Sequence, residues 1–164
     1  TGPVYLCAET ALGADETGGS LHDRLADMGA EALLECLLML REGDMPEPVA
    51  QDNSLSTYAS KLDKAEAQIN WQHTAVDIER RIRAFNPWPV CWCEIDGQRL
   101  RVWASRTAGA VHSAAPGTVV AAEPQGIEVA TGEGSLLLVE VQRAGGKRMP
   151  VAQYLNAHPV RVEG

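Results

Sequence analysis

The 164 residues of this chain can bury one good core or two small ones, and 45% of them are apolar, so a folded protein is expected. No stretch approaches the roughly 18 uninterrupted apolar residues of a membrane-spanning helix, and the apolar run from Val4 to Ala8 is too short, and lacks the basic flank, to be a signal peptide. The net charge of −8 is uneven: residues 1–50 hold ten acidic and two basic side chains, residues 51–164 hold twelve of each, so acidity argues against nucleic-acid binding only for the first third.

Thr1 opens the chain without a methionine, in what reads as the middle of a strand, which implies a piece of a longer protein. Val4 to Ala8 predicts a short buried strand. Thr17 or Ser20 can cap the helix after it. Leu21, Leu25, Met28, Ala32, Cys36 and Met39 recur at helical spacing, and Leu33, Leu37 and Leu40 widen the stripe. This helix is expected to lie against a sheet, with Gly29 dividing it and Gly43 ending it. A strand followed by a long helix is a piece of an α/β layer. From Asp44 to about Lys64 the periodicity is lost, and Met45-Pro46-Glu47-Pro48 and Gln51-Asp52-Asn53-Ser54 read as an extended linker.

A second helix is predicted from about Thr74 to Phe85, with Thr74 and Asp77 resembling a capping box and Ile78, Ile82 and Phe85 as its buried stripe. Pro87 ends it at or before Asn86, and the two prolines around Trp88 are expected to hold that ring in an extended segment that staples the helix to the barrel. The period then changes to two. Strands are expected at about 90–95, 99–105, 118–123, 127–131 and 135–142, with Asp96-Gly97 as a hairpin turn. Five short strands with glycine turns suggest a small closed or partly open barrel, of which the OB-fold is the common nucleic-acid-binding version. A short helix near Val151 to Asn156 could close one end.

Cys7, Cys36, Cys91 and Cys93 fit no zinc spacing and read as buried small hydrophobes in a reducing cytoplasm, with Cys91 and Cys93 on one side of a strand. His22, His73, His112 and His158 are not grouped with a nucleophile and read as surface or structural residues. Trp71, Trp88, Trp92 and Trp103 could stack on bases, although core and corner packing is the plainer reading.

Several runs carry a resemblance. Arg83-Ala84-Phe85-Asn86-Pro87-Trp88-Pro89, within the longer run from Arg81, is the strongest. Thr17-Gly18-Gly19-Ser20-Leu21-His22-Asp23 with Leu25 and Gly29, Gln51-Asp52, Thr57-Tyr58-Ala59-Ser60-Lys61-Leu62, Ile69-Asn70-Trp71 (Asn where the pattern has Asp), Ala115-Pro116-Gly117-Thr118 and the run from Gln142 to Met149 add to it. Together they resemble the C-terminal half of the methionyl-tRNA formyltransferases. The resemblance implies an α+β chain: residues 1–44 as the strand–helix remnant of a doubly wound α/β formyltransferase domain, 45–64 as a linker, and 65–164 as a C-terminal OB-like barrel domain. It implies a cytoplasmic enzyme of translation initiation. That enzyme moves a formyl group from 10-formyltetrahydrofolate to the amino group of initiator methionyl-tRNA.

The family's catalytic asparagine, histidine and aspartate would precede Thr1, the aspartate immediately so. No catalytic, cofactor-binding or metal-binding residue is therefore assigned here, and the 164 residues alone are expected to be inactive and to bind no folate. The expected partners are initiator methionyl-tRNA and an N-terminal catalytic domain, with no membrane. For tRNA contact the candidates are Lys61 and Lys64 in the linker, Arg80, Arg81 and Arg83 on the second helix, and Arg143, Lys147 and Arg148 around a glycine loop. Cations of this kind neutralise phosphates and release counterions. The plainer reading is that they are solvated charges paired with Asp77, Glu79 or Asp63. A related UDP-amino-sugar formyltransferase, which shares the P-W-P corner, and a stand-alone barrel binding module are the alternatives.

Overall fold

The computed structural model describes residues 2–109 and 113–162, so His112 lies outside the described residues. The chain divides into two compact units, Thr1–Lys61 and Leu62–Gly164.

The first unit is built around helix α1, Gly18–Glu42. Thr17 caps it: the Thr17 hydroxyl accepts from the Ser20 backbone N–H at 3.1 Å, and the Ser20 hydroxyl accepts from the Thr17 N–H at 3.0 Å. Gly43, at φ 81°, closes the other end in the left-handed region. Arg24 reaches back to Glu16 at 2.6 Å and to the Thr10 hydroxyl and Ala11 carbonyl, fixing the segment that enters the helix.

Three expectations fail in this unit. Gly29 does not divide α1; one glycine costs about 1 kcal/mol, and the turns on either side carry the helix through it. Val4 to Ala8 is not a buried strand: Val4 makes a single antiparallel bridge to Val49, and Tyr5 and Cys7 are exposed. Among the described residues it has no further strand beside it, so nothing covers it. For the same reason α1 has no buried residue, and Leu33, Leu37 and Leu40 stand exposed where a sheet was expected. Residues 44–61 are largely irregular, with one short 3₁₀ turn at Asn53–Leu55 capped by Asp52.

The second unit opens with a 3₁₀ turn at Lys64–Ala67 and helix α2, Ala75–Ala84. Thr74 caps α2 by accepting from the Asp77 N–H at 3.1 Å, and its hydroxyl donates to the Asp77 carboxylate at 2.9 Å. Ile78, Ile82 and Phe85 are buried as expected. After α2 the chain makes a compact corner through residues 85–89 rather than an extended segment, with both Asn86-Pro87 and Trp88-Pro89 peptides cis. The Asn86 side-chain amide donates to the Trp103 carbonyl at 3.1 Å. Trp88 does not staple the corner: it is 53% exposed, and buried Phe85 and Val90 pack there instead.

The strands are β1 (Trp92–Ile95), β2 (Gln98–Ala108), β3 (Val119–Glu123), β4 (Gly126–Ala130), β5 (Ser135–Arg143) and the two-residue β6 (Met149–Pro150). Asp96 at φ 50° and Gly97 at φ 73° make the β1–β2 hairpin. All pairs are antiparallel, in the order β1-β2-β5-β4-β3, with β6 against β5. The result is an α+β unit whose sheet curls as a half-barrel. Its β1 and β3 edges are unpaired with one another among the described residues. Leu100, Val102, Ile127, Val129, Leu136, Leu138 and Val141 line the concave core with Ile82 of α2. Helix α3, Val151–Ala157, adds Val151 and Tyr154. Cys91 and Cys93 are buried there as expected, whereas Cys7 is exposed and Cys36 half-buried because the strand and sheet expected around them are not formed.

Candidate nucleic-acid interface

Strand β2 alternates Arg99-Leu100-Arg101-Val102-Trp103. The pleat sends Leu100 and Val102 into the core and Arg99, Arg101 and Trp103 to the opposite face. Pairing completes that face: Arg101 lies between Trp92 of β1 and Gln142 of β5. The register slips after Val102, leaving Trp103 at a bulge, where a strand bends and re-aims its side chain. Trp103 Nε1 donates to Gln142 Oε1 at 3.0 Å, and Gln142 Nε2 donates to the Gly146 carbonyl at 2.9 Å. This chain of bonds ties the loop after β5 to β2.

Two clefts open on this face, both walled by Arg99 and Arg101. One, of about 300 Å³, is completed by Gln142, Arg143, Ala144 and Gly145. The other, of about 250 Å³, is completed chiefly by Lys64, Trp88, Trp92 and Trp103. The Arg99 guanidinium lies 3.7 Å over the Trp92 ring and that of Arg148 lies 4.8 Å over Trp103. Arg148 also holds Glu140 at 2.6 Å, and that bond raises the pKa of its guanidinium above its ordinary value. Among the described residues neither Arg99 nor Arg101 is in an ion pair.

The structure separates the sequence candidates. Lys64, Arg143 and Arg148 border the β2 face, and Lys147 is exposed in the loop beside them. Arg143 also approaches His158 Nε2 at 3.3 Å. Arg80, Arg81 and Arg83 line neither cleft. Each faces a carboxylate: Arg80 to Asp77 at 4.0 Å, Arg81 to Glu66 at 3.7 Å and Arg83 to Glu79 at 2.6 Å. Lys61 is exposed at the end of the first unit. Arg99 and Arg101, which wall both clefts, were not among the sequence candidates; their signal is the alternation with Leu100 and Val102, which passes for the ordinary wet face of a strand. Among the described residues there is no group of three or more metal-ligating side chains and no helix long and apolar enough to cross a membrane.

The half-barrel with its flanking helices is of a known architectural class. The HypX protein of Aquifex aeolicus, solved in complex with tetrahydrofolic acid, matches with a TM-score of 0.59 at 17% identity, over 81% of this chain and 24% of that one. A variant of the same protein (A392F-I419F) gives a TM-score of 0.57. At this identity the likeness concerns the fold alone. Residues 61–159 match the family "Formyl transferase, C-terminal domain", and the chain belongs to that family. It is 47% identical over 158 residues to the methionyl-tRNA formyltransferase of Nitrosococcus oceani, covering 96% of this chain and 49% of the relative. It is 46% identical over 157 residues to that of Xanthomonas campestris pv. campestris, covering 96% and 51%. The chain thus spans about half the length of the curated relatives it matches.

Proposed function

We propose that the chain is the C-terminal portion of a methionyl-tRNA formyltransferase and that it holds the tRNA while chemistry proceeds elsewhere in the enzyme. The observation that carries this reading is the 47% identity extending over 96% of the chain to an enzyme of that name. The parent reaction moves a formyl group from 10-formyltetrahydrofolate to the amino group of initiator methionyl-tRNA, in the cytoplasm, at the start of translation. Formyl transfer needs a proton acceptor and donors aimed at an oxyanion. The linings of the two β2-face clefts are arginines, tryptophans and loop backbone and hold no carboxylate or imidazole to accept that proton, so no step is assigned to them. Their exposed cations suit phosphates.

In this reading residues 1–44 complete the catalytic domain, 45–64 link it, and 65–164 form the OB-like tRNA-holding domain. The order β2-β5-β4-β3, a three-strand meander with β2 returned beside β5, is a Greek key and supports the OB-like assignment. Lys61, Lys64, Arg143, Lys147 and Arg148 are the sequence candidates retained for tRNA contact, joined by Arg99 and Arg101. Arg80 and Arg83 pair within α2, and Arg81 pairs with Glu66 of the 3₁₀ turn before it.

Binding of the 164-residue chain to initiator tRNA over a salt series, with a UDP-sugar as control ligand, tests the reading. Binding that falls steeply with salt is expected, and UDP-sugar binding without tRNA binding would overturn it. The chain alone should transfer no formyl group, and turnover by the purified 164 residues would refute that division of labour.

A further inference from the structure

We propose that the two clefts form a subsite for one unpaired nucleotide, its base against Trp88 and its phosphate on Arg99 and Arg101. This rests on the RNA-holding reading above and narrows it to a single-stranded segment of the RNA.

Three tryptophans border the aromatic cleft, and they differ in what already covers them. The Trp92 ring carries the Arg99 guanidinium at 3.7 Å, and the Trp103 ring carries that of Arg148 at 4.8 Å. Trp88 has no such cover among the described contacts and is 53% exposed. A large ring left that open offers a face on which a planar group can stack. Prolines on both sides limit its backbone freedom, and Asn86, bonded to the Trp103 carbonyl at 3.1 Å, ties the corner to β2. Little order is therefore lost when a partner stacks.

The surrounding charge selects the partner. Lys64, Arg99 and Arg101 share the walls of this cleft, so a cationic or quaternary ammonium ligand is disfavoured and an anionic one favoured. Arg99 and Arg101 also wall the second cleft, where the backbone of Ala144 and Gly145 closes the far side. A planar ring joined to an adjacent anion, lying across two arginines, is the outline of a nucleotide. A base inside a duplex is already stacked on both faces and cannot offer one to Trp88.

The test is titration of the 164-residue chain with a labelled five-nucleotide single-stranded RNA and with a labelled RNA hairpin stem, in wild type, Trp88→Leu and Trp88→Phe. Trp88→Leu should weaken the single strand by about 5- to 150-fold and leave the stem within about twofold. Trp88→Phe should keep most of the single-strand affinity, which separates stacking from a folding defect. Equal loss for both RNAs in Trp88→Leu, or no loss for the single strand, would overturn the subsite. Initiator tRNA binding without single-strand binding would sink this proposal and leave the proposed function standing; loss of all RNA binding in wild type would sink both.

Discussion

Neutralising Arg99 and Arg101 together should change how tRNA binding responds to salt. Both side chains are exposed and neither is in an ion pair among the described residues. Each is free to displace counterions from a phosphate. One phosphate contact contributes about 0.9 to the slope of log affinity against log salt on a duplex and about 0.7 on a single strand. The variant Arg99→Gln/Arg101→Gln should therefore flatten the slope by about 1.4 to 1.8. Over a fourfold rise in salt, wild type should lose about 7- to 12-fold more affinity than the variant. Arg83→Gln is the control: Arg83 is already held by Glu79 at 2.6 Å, and its removal should leave the slope unchanged. Fluorescence anisotropy with labelled initiator tRNA at four or more salt concentrations measures both. If Arg83→Gln flattens the slope as much as the double variant, or the double variant leaves it unchanged, the assignment of the RNA face to β2 is wrong.

Gly132 sits where a side chain has no room: a Cβ there would lie 2.0 Å from the Gln72 carbonyl oxygen, and its N–H donates to the Trp71 and His73 carbonyls. Gly132→Ala should cost about 3 kcal/mol, read by urea unfolding. Gly29→Ala, in open space on α1, should instead raise α1 stability by about 0.5–1 kcal/mol, read by helix content on heating. Burial pushes the Cys91 thiol up to about 11 and the Cys93 thiol up to about 12, so neither offers thiolate at pH 8. A thiol reagent at that pH should label exposed Cys7 quickly and reach Cys91 and Cys93 only in denaturant, and fast labelling of all four would contradict the core. The Glu16 carboxyl is held below its ordinary pKa, first by its bond to the Arg24 side chain and then by the Gly13 N–H. Because the folded value is the lower one, that stabilisation is complete above the ordinary carboxylate pKa and lost as pH falls through the depressed one. Glu16→Gln should abolish that acid-side loosening of residues 10–16, followed by amide exchange.

What could be read from the sequence was whatever neighbours in the chain decide. The cap at Thr74, the stripe of Ile78, Ile82 and Phe85, and the stop before Pro87 are local, and α2 lies where they place it. Asp96-Gly97 likewise set its hairpin. The two-residue β6 was missed because it is a strand only by virtue of lying against β5. The α1 stripe and the Val4 segment carry the pattern of buried elements without the neighbours to bury them, so their periodicity predicted an environment that the described residues do not contain. Trp88 was misread because an aromatic between prolines suggests packing, whereas Phe85 and Val90 occupy the corner. Loops and helices drew attention to Arg143, Lys147 and Arg148, which lie beside the β2 face, and to Arg80, Arg81 and Arg83, which line neither of its clefts. Arg99 and Arg101 come to wall a cleft only when β5 pairs with β2 and brings Gln142 and Arg143 alongside, and no local pattern foretells that pairing.

That pairing has a consequence for the chain as it is being made. Strand β5 joins the β1–β2 hairpin to the β3–β4 hairpin, so during synthesis β2 leaves the ribosome some 27 residues before the strand that will cover its edge. An exposed edge is a template for pairing with another copy. Arg99, Arg101 and Arg106 line that waiting strand with like charge, which discourages two nascent copies from adding to one another. The arginines of the proposed RNA face thus carry a charge pattern that would also keep the half-made sheet apart from its copies until its own last long strand arrives.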